Sequence, residues 1–175
     1  YKKNSLYATE EDRVISDKLI SFGTIVEQNK NIVLIKNKFT SMEVEIIEMD
    51  KLQFDCSRKM SSVIYKYEDR YFIVTKGSLD SIKNIINDES DDFTKESEIY
   101  NKIYPHLRTL AIAYKEINYR SNICPTEYEE SGDYTFLTIL GIQDDLQDKI
   151  RETISSLQFY SKKRISMCTG DRYET

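Results

Sequence analysis

Alternation of apolar and polar residues with a period of two is the strongest constraint on this fold, because only a half-buried strand sends every second side chain inward. Met42, Val44 and Ile46 alternate with polar residues in this way, and a short apolar run at 32–35 precedes them. Residues 63–67 and 71–75 read as a hairpin closed near Asp69. Lys76-Gly77 then makes a turn, and Ser78 can cap a helix whose Leu79, Ile82, Ile85 and Ile86 share a face. Residues 109–114 form another strand, apolar enough to be central.

Ahead of these strands, Thr9 followed by Glu10, Glu11 and Asp12 gives an N-cap with an acidic first turn, and Gly23 stops a helix whose face is Val14, Ile15, Leu19 and Phe22. The acidic stretch 88–92 reads as a solvated or mobile loop, and 118–133, with Pro125 and Gly132, as a loop or linker. From Tyr134 the pattern changes to an apolar run through Ile142, a helix with Leu146, Ile150, Ile154 and Leu157 at helical spacing, and a strand at 164–168. Strand, helix, strand is the signature of a parallel sheet. The expected class is therefore α+β: a mostly antiparallel sheet flanked by helices over residues 1–135, then a β-α-β fragment of an α/β domain over 136–175.

Composition excludes several functions. Net charge is -5 with both signs interspersed, so there is no electrostatic footprint for a nucleic-acid backbone. The three cysteines, Cys56, Cys124 and Cys168, are too far apart for zinc-ligand spacing and odd in number for a disulfide framework. No apolar run approaches the roughly 20 residues of a membrane span. His106 beside Pro105 reads as a loop residue, and no catalytic or metal-ligating set is expected.

Four places carry chemistry. Phe54-Asp55-Cys56-Ser57-Arg58-Lys59-Met60-Ser61-Ser62 offers a ring, two cations and hydroxyls, which suit a base-plus-phosphate ligand but equally suit a core ring beside solvated charges. Lys76-Gly77-Ser78 can meet negative charge, let a ligand approach the backbone and present helix amides, or be a plain turn. Arg108 ahead of its strand can meet a ligand or a neighbouring acid. Asp144, and Thr169-Gly170-Asp171, place polar residues just after strands, where open parallel sheets bind ligands.

In this order and spacing the segments resemble the P-type ATPases along nearly the whole chain. Gly141-Ile142-Gln143-Asp144-Asp145-Leu146-Gln147-Asp148, then Glu152-Thr153-Ile154 and Thr169-Gly170-Asp171-Arg172-Tyr173-Glu174-Thr175, are similar to motifs of the phospholipid-flippase class. The resemblance implies a nucleotide-binding domain followed by part of a phosphorylation domain. It implies that Phe54 stacks on adenine, that Lys76 lines the same pocket, that Lys59 and Arg108 meet the phosphate side, and that Glu11 contacts the adenine edge. Asp144, Thr169, Gly170 and Asp171 match positions near the transferred phosphate. The chain departs from the family pattern at Ser78, at Met60-Ser61, around Glu11 and at 161–164, and holds neither the phosphorylated-Asp segment nor the magnesium-binding segment. The implied role is to bind ATP and present it to an Asp elsewhere in a membrane-embedded parent, at its cytoplasmic face. Mg2+ would be used by the parent, and an accessory subunit is a possible partner. The alternative is a regulatory or vestigial nucleotide-binding module, such as the flippase-like part of an apicomplexan guanylate cyclase fusion.

Overall fold

The computed structural model describes residues 24–29, 32–37, 43–87, 91–143, 147–161, 164–166 and 168. Seven strands follow one another: β1 (Thr24–Asn29), β2 (Ile32–Asn37), β3 (Glu43–Asp55), β4 (Met60–Tyr67), β5 (Arg70–Gly77), β6 (Arg108–Ile117) and β7 (Thr135–Ile142). Each pairs antiparallel with the strand before it, so sheet order equals chain order. Helices α1 (Leu79–Lys83) and α2 (Asp92–Ile103) connect β5 to β6, α3 (Pro125–Glu130) connects β6 to β7, and α4 (Ile150–Ser161) follows the last strand. The expected α+β class with a mostly antiparallel sheet is what forms.

Register assigns the central side chains to faces. Met60, Ser62 and Ile64 stand opposite Gly77, Thr75 and Ile73. Gly77 and Thr75 in turn oppose Ala111 and Ala113, and Ala111 opposes Ile139. All of these are buried, because helices cover this face. Ile82 of α1, Ile85 just after it, Phe93 of α2 and Tyr134 complete the core among the described residues, and burying an Ile or Phe side chain is worth about 1.5–3 kcal/mol.

Two contacts seat α2. The Phe93 ring meets Phe136 edge-on with centroids 5.3 Å apart, and the Tyr100 hydroxyl donates to the Ile139 carbonyl at 3.1 Å. A Cβ at Gly141 would lie 2.6 Å from Leu107 Cδ1 and 2.7 Å from Tyr100 Cε1, so only glycine leaves room for the helix.

Several expectations are corrected. The run at 135–142 is not the first strand of a parallel unit: it is the seventh antiparallel strand, with Ile139 only 2% exposed. A continuous apolar run marks a buried strand of either direction, and its neighbour decides. The closing strand expected at 164–168 is absent over 164–166, which are neither strand nor helix. Helix α2 begins inside the stretch read as an acidic loop, and α3 lies within the stretch read as a linker, with Pro125 in its first turn. The helix expected at 9–22 lies outside the described residues. No helix among the described residues is long and apolar enough to cross a membrane.

Candidate functional site

The sheet face turned away from α1, α2 and α3 carries the sequence-predicted cations. Ser61 of β4 opposes Lys76 of β5, and Lys76 opposes Ile112 of β6. Val63, Val74, Leu110, Ile112 and Leu140 on this face are only partly covered. Between Leu52 and Asp55 the β3–β4 register shifts, so that Gln53 and Phe54 together oppose Ser61. Phe54 and Lys76 therefore stand in one row, two strand spacings or roughly 10 Å apart. Arg108 alternates with Leu110 and Ile112 on β6 and shares their face, about 13 Å along the strand from the row. Phe54 is 59% exposed and is not a core ring. Lys76 is half-buried and Arg108 is exposed.

The turn that follows Phe54 is built by Asp55. Its Oδ1 accepts from the Ser57 and Arg58 amides at 2.9 and 3.2 Å and from the Ser57 hydroxyl. These bonds, that from the Ser57 hydroxyl first, hold the Asp55 carboxyl below its ordinary pKa. The Asp55 carbonyl accepts from the Lys59 amide at 2.7 Å, and Lys59 takes a left-handed φ of 54° to re-enter the sheet. Its side chain is exposed.

Gly77 serves this turn instead of opening the backbone to a ligand. A Cβ there would lie 2.8 Å from the Lys59 carbonyl oxygen and 2.7 Å from Met60 Cγ. The close approach lets the Ser78 amide donate to the Lys59 carbonyl at 3.1 Å and the Ser81 hydroxyl donate to the Arg58 carbonyl at 2.9 Å. The α1 start is engaged too, since Ser78 Oγ accepts from the Ser81 amide at 3.3 Å. Lys76 and Gly77, expected in a turn, are the last residues of β5, and the Phe54–Lys59 segment and this strand end are thus one unit.

Arg58 and Lys59, adjacent in sequence, separate in role. Arg58 Nη1 pairs with Glu129 Oε1, and its Nη2 donates to the Gln53 carbonyl at 3.0 Å. Glu129, on α3, is completely buried and accepts from the Ser62 hydroxyl through its other oxygen. Ser62 lies 2.7 Å from the Thr75 hydroxyl, which lies 3.3 Å from that of Tyr134. No buried side-chain polar atom among the described residues lacks a partner. Sequence reasoning missed Glu129. The only available signal was Pro125 followed by Glu127, a helix start that would have put Glu129 on a helix and not in a linker.

Phe54, Lys76 and Arg108 thus share a face, and Lys59 is tied to its end. Glu11, Asp144, Thr169, Gly170 and Asp171 lie outside the described residues.

Comparison with known proteins adds a family. Residues 24–149 match the family model described as P-type ATPase, cytoplasmic domain N. The Calcium-transporting ATPase of Bacillus subtilis is 31% identical over 150 residues, covering 79% of this chain and 16% of that protein. Calcium-transporting ATPase 1 of Bacillus cereus is 24% identical over 160 residues, covering 82% of this chain and 18% of that protein. Calcium-transporting ATPase 2 of Schizosaccharomyces pombe is 27% identical over 146 residues, 70% of this chain and 11% of the relative. The chain spans less than a fifth of the length of each of these relatives.

Proposed function

The chain belongs to the P-type ATPases, matching their cytoplasmic N domain, and from that premise we propose that it binds ATP on the face turned away from α1, α2 and α3 and presents the terminal phosphoryl group to an Asp outside this chain. The observation that carries this reading is the row in which the exposed Phe54 ring stands two strands from Lys76, with Arg108 on the same face. A ring that leaves its face to solvent suits stacking on a base, and cations farther along suit phosphates. Lys59, in the turn between β3 and β4 two residues before Ser61, adds charge toward the same phosphates. Glu11 supplies the adenine-edge contact, and Asp144, Thr169, Gly170 and Asp171 take the phosphate side. The catalytic contribution is positioning and charge.

Magnesium would arrive on the ATP phosphates in the parent protein. Among the described residues no three His, Cys, Asp or Glu side chains form a group that could hold a metal ion, so none of the present steps is assigned to it. Calorimetric titration with ATP, with phosphate release followed in parallel, tests the reading. Binding without sustained turnover, changed little by a chelator and weaker for GTP, is the expected result. No binding at millimolar ATP would overturn it in favour of a vestigial module.

The cargo we propose for the membrane-embedded parent is a phospholipid, on the strength of the segments at 141–148, 152–154 and 169–175. The names of the relatives support calcium as a second reading. Reconstituting the parent in vesicles and following labelled lipid and calcium separately distinguishes the two: calcium uptake with no lipid movement would end the lipid reading.

A further inference from the structure

We propose that Glu129 is a positioning residue for the nucleotide, acting through Arg58 on the segment that carries Phe54 and Lys59. The inference rests on the ATP-binding reading above and adds to it a residue that touches no nucleotide.

The argument begins with burial. Among the described residues, Glu129 is the one fully buried carboxylate, beside the buried Ser62 and Thr75. Both its oxygens are engaged: one with Arg58 Nη1, the other with the Ser62 hydroxyl. Removing a carboxylate from water costs several kcal/mol, which must be offset by well-directed partners. Those partners sit at the base of the candidate site. Ser62 is the residue after Ser61, in the Phe54 row, and Thr75 is the residue before Lys76. The polar chain therefore runs along the covered face directly behind the row on the open face.

Arg58 transmits the constraint. Its two terminal nitrogens take different partners, Glu129 on α3 and the Gln53 carbonyl on β3 at 3.0 Å. Gln53 is the residue before Phe54, and Arg58 the residue before Lys59. One guanidinium thus closes the segment from both ends, while the Ser81 hydroxyl fixes the Arg58 carbonyl at 2.9 Å. Exposed as it is, the Phe54 ring makes few contacts that could aim it, and the bridge at its base sets its direction.

The test uses nucleotide affinity of the folded chain, with Glu129→Gln and Arg58→Lys as variants. Glu129→Gln keeps shape but removes the charge that anchors Arg58. Arg58→Lys keeps a charge beside Glu129 but lacks the rigid fork whose two separated nitrogens reach Glu129 and Gln53 at once. Each variant is expected to weaken ATP binding by about fivefold or more, and hydrogen exchange at the Lys59 and Ser78 amides should speed up. The discriminating measurement is the same change in a Phe54→Ala background. If Glu129 acts by aiming Phe54, most of its effect vanishes there, whereas a general loss of stability would persist. Wild-type affinity in both folded variants overturns the proposal. Should Glu129→Gln fail to fold, Arg58→Lys decides alone, and undiminished binding by it has the same force. Failure of the unmodified chain to bind ATP would instead remove the underlying reading.

Discussion

Phe54 leaves 59% of its surface exposed at the end of β3, so truncating it opens no cavity. Phe54→Ala should keep the circular dichroism spectrum and melting temperature while weakening ATP binding by about 5- to 150-fold, the equivalent of 1–3 kcal/mol of base stacking. Unchanged affinity in a folded variant would remove Phe54 from the site. Tyr134 makes the opposite case, a ring in the core whose hydroxyl titrates. Burial pushes its pKa up to about 12; the Thr75 hydroxyl pulls it down and the Glu129 carboxylate pushes it up. The neutral form is favoured in the folded chain, so this stability is complete below pH 10. It is lost as pH rises from about 10 to about 12, because the unfolded chain releases the proton first. Two units correspond to about 3 kcal/mol as an upper figure. Urea unfolding at pH 9 and pH 11.5 should show a larger fall for the native chain than for Tyr134→Phe; equal falls would contradict the assignment.

At the level of single elements, α2 and β7 depend on each other through Gly141. Gly141→Val would drive side-chain atoms into Leu107 and Tyr100, lift the helix and lower stability by about 1–3 kcal/mol, read as a drop in melting temperature. An unchanged melting temperature would mean that α2 is not seated as described. Which elements were legible in the sequence follows from their packing. The β4–β5 hairpin and β6 could be read because each holds a short apolar run, at 63–67, 71–75 and 109–114, with a turn near Asp69 between the first two. Helix α2 could not, because Ile99 and Ile103 are exposed and Phe93 alone is buried, so no apolar stripe forms. The direction of β7 was hidden for a different reason: an apolar run says that a strand is covered, not which strand lies beside it. In the candidate site, Phe54, Lys59, Lys76 and Arg108 were named from the order of the motifs and the resemblance they carry, and the register sets Phe54, Lys76 and Arg108 on one face. Glu129 was not, since its worth depends on Arg58, 71 residues away.

Across the whole chain, the end of the sheet fixes where a self-sufficient piece can stop. Residues 151–160 of α4 are all exposed, while Phe136 and Ile139 of β7 pack in or against the core. Truncation after Gln143 should therefore keep the melting temperature, and truncation after Thr135 should abolish folding. If the shorter piece folds, the boundary expected at 135 stands after all. The order of the strands has one more consequence, for the time course of folding. Each strand after the first finds its hydrogen-bonding partner immediately upstream, so a chain leaving the ribosome can extend the sheet one strand at a time, the longest connection being the helical one between β5 and β6. The Arg58–Glu129 pair closes over a longer span. The turn bearing Phe54 is synthesised early and the carboxylate that holds it arrives 71 residues later, so during synthesis the sheet precedes the aim of its binding face.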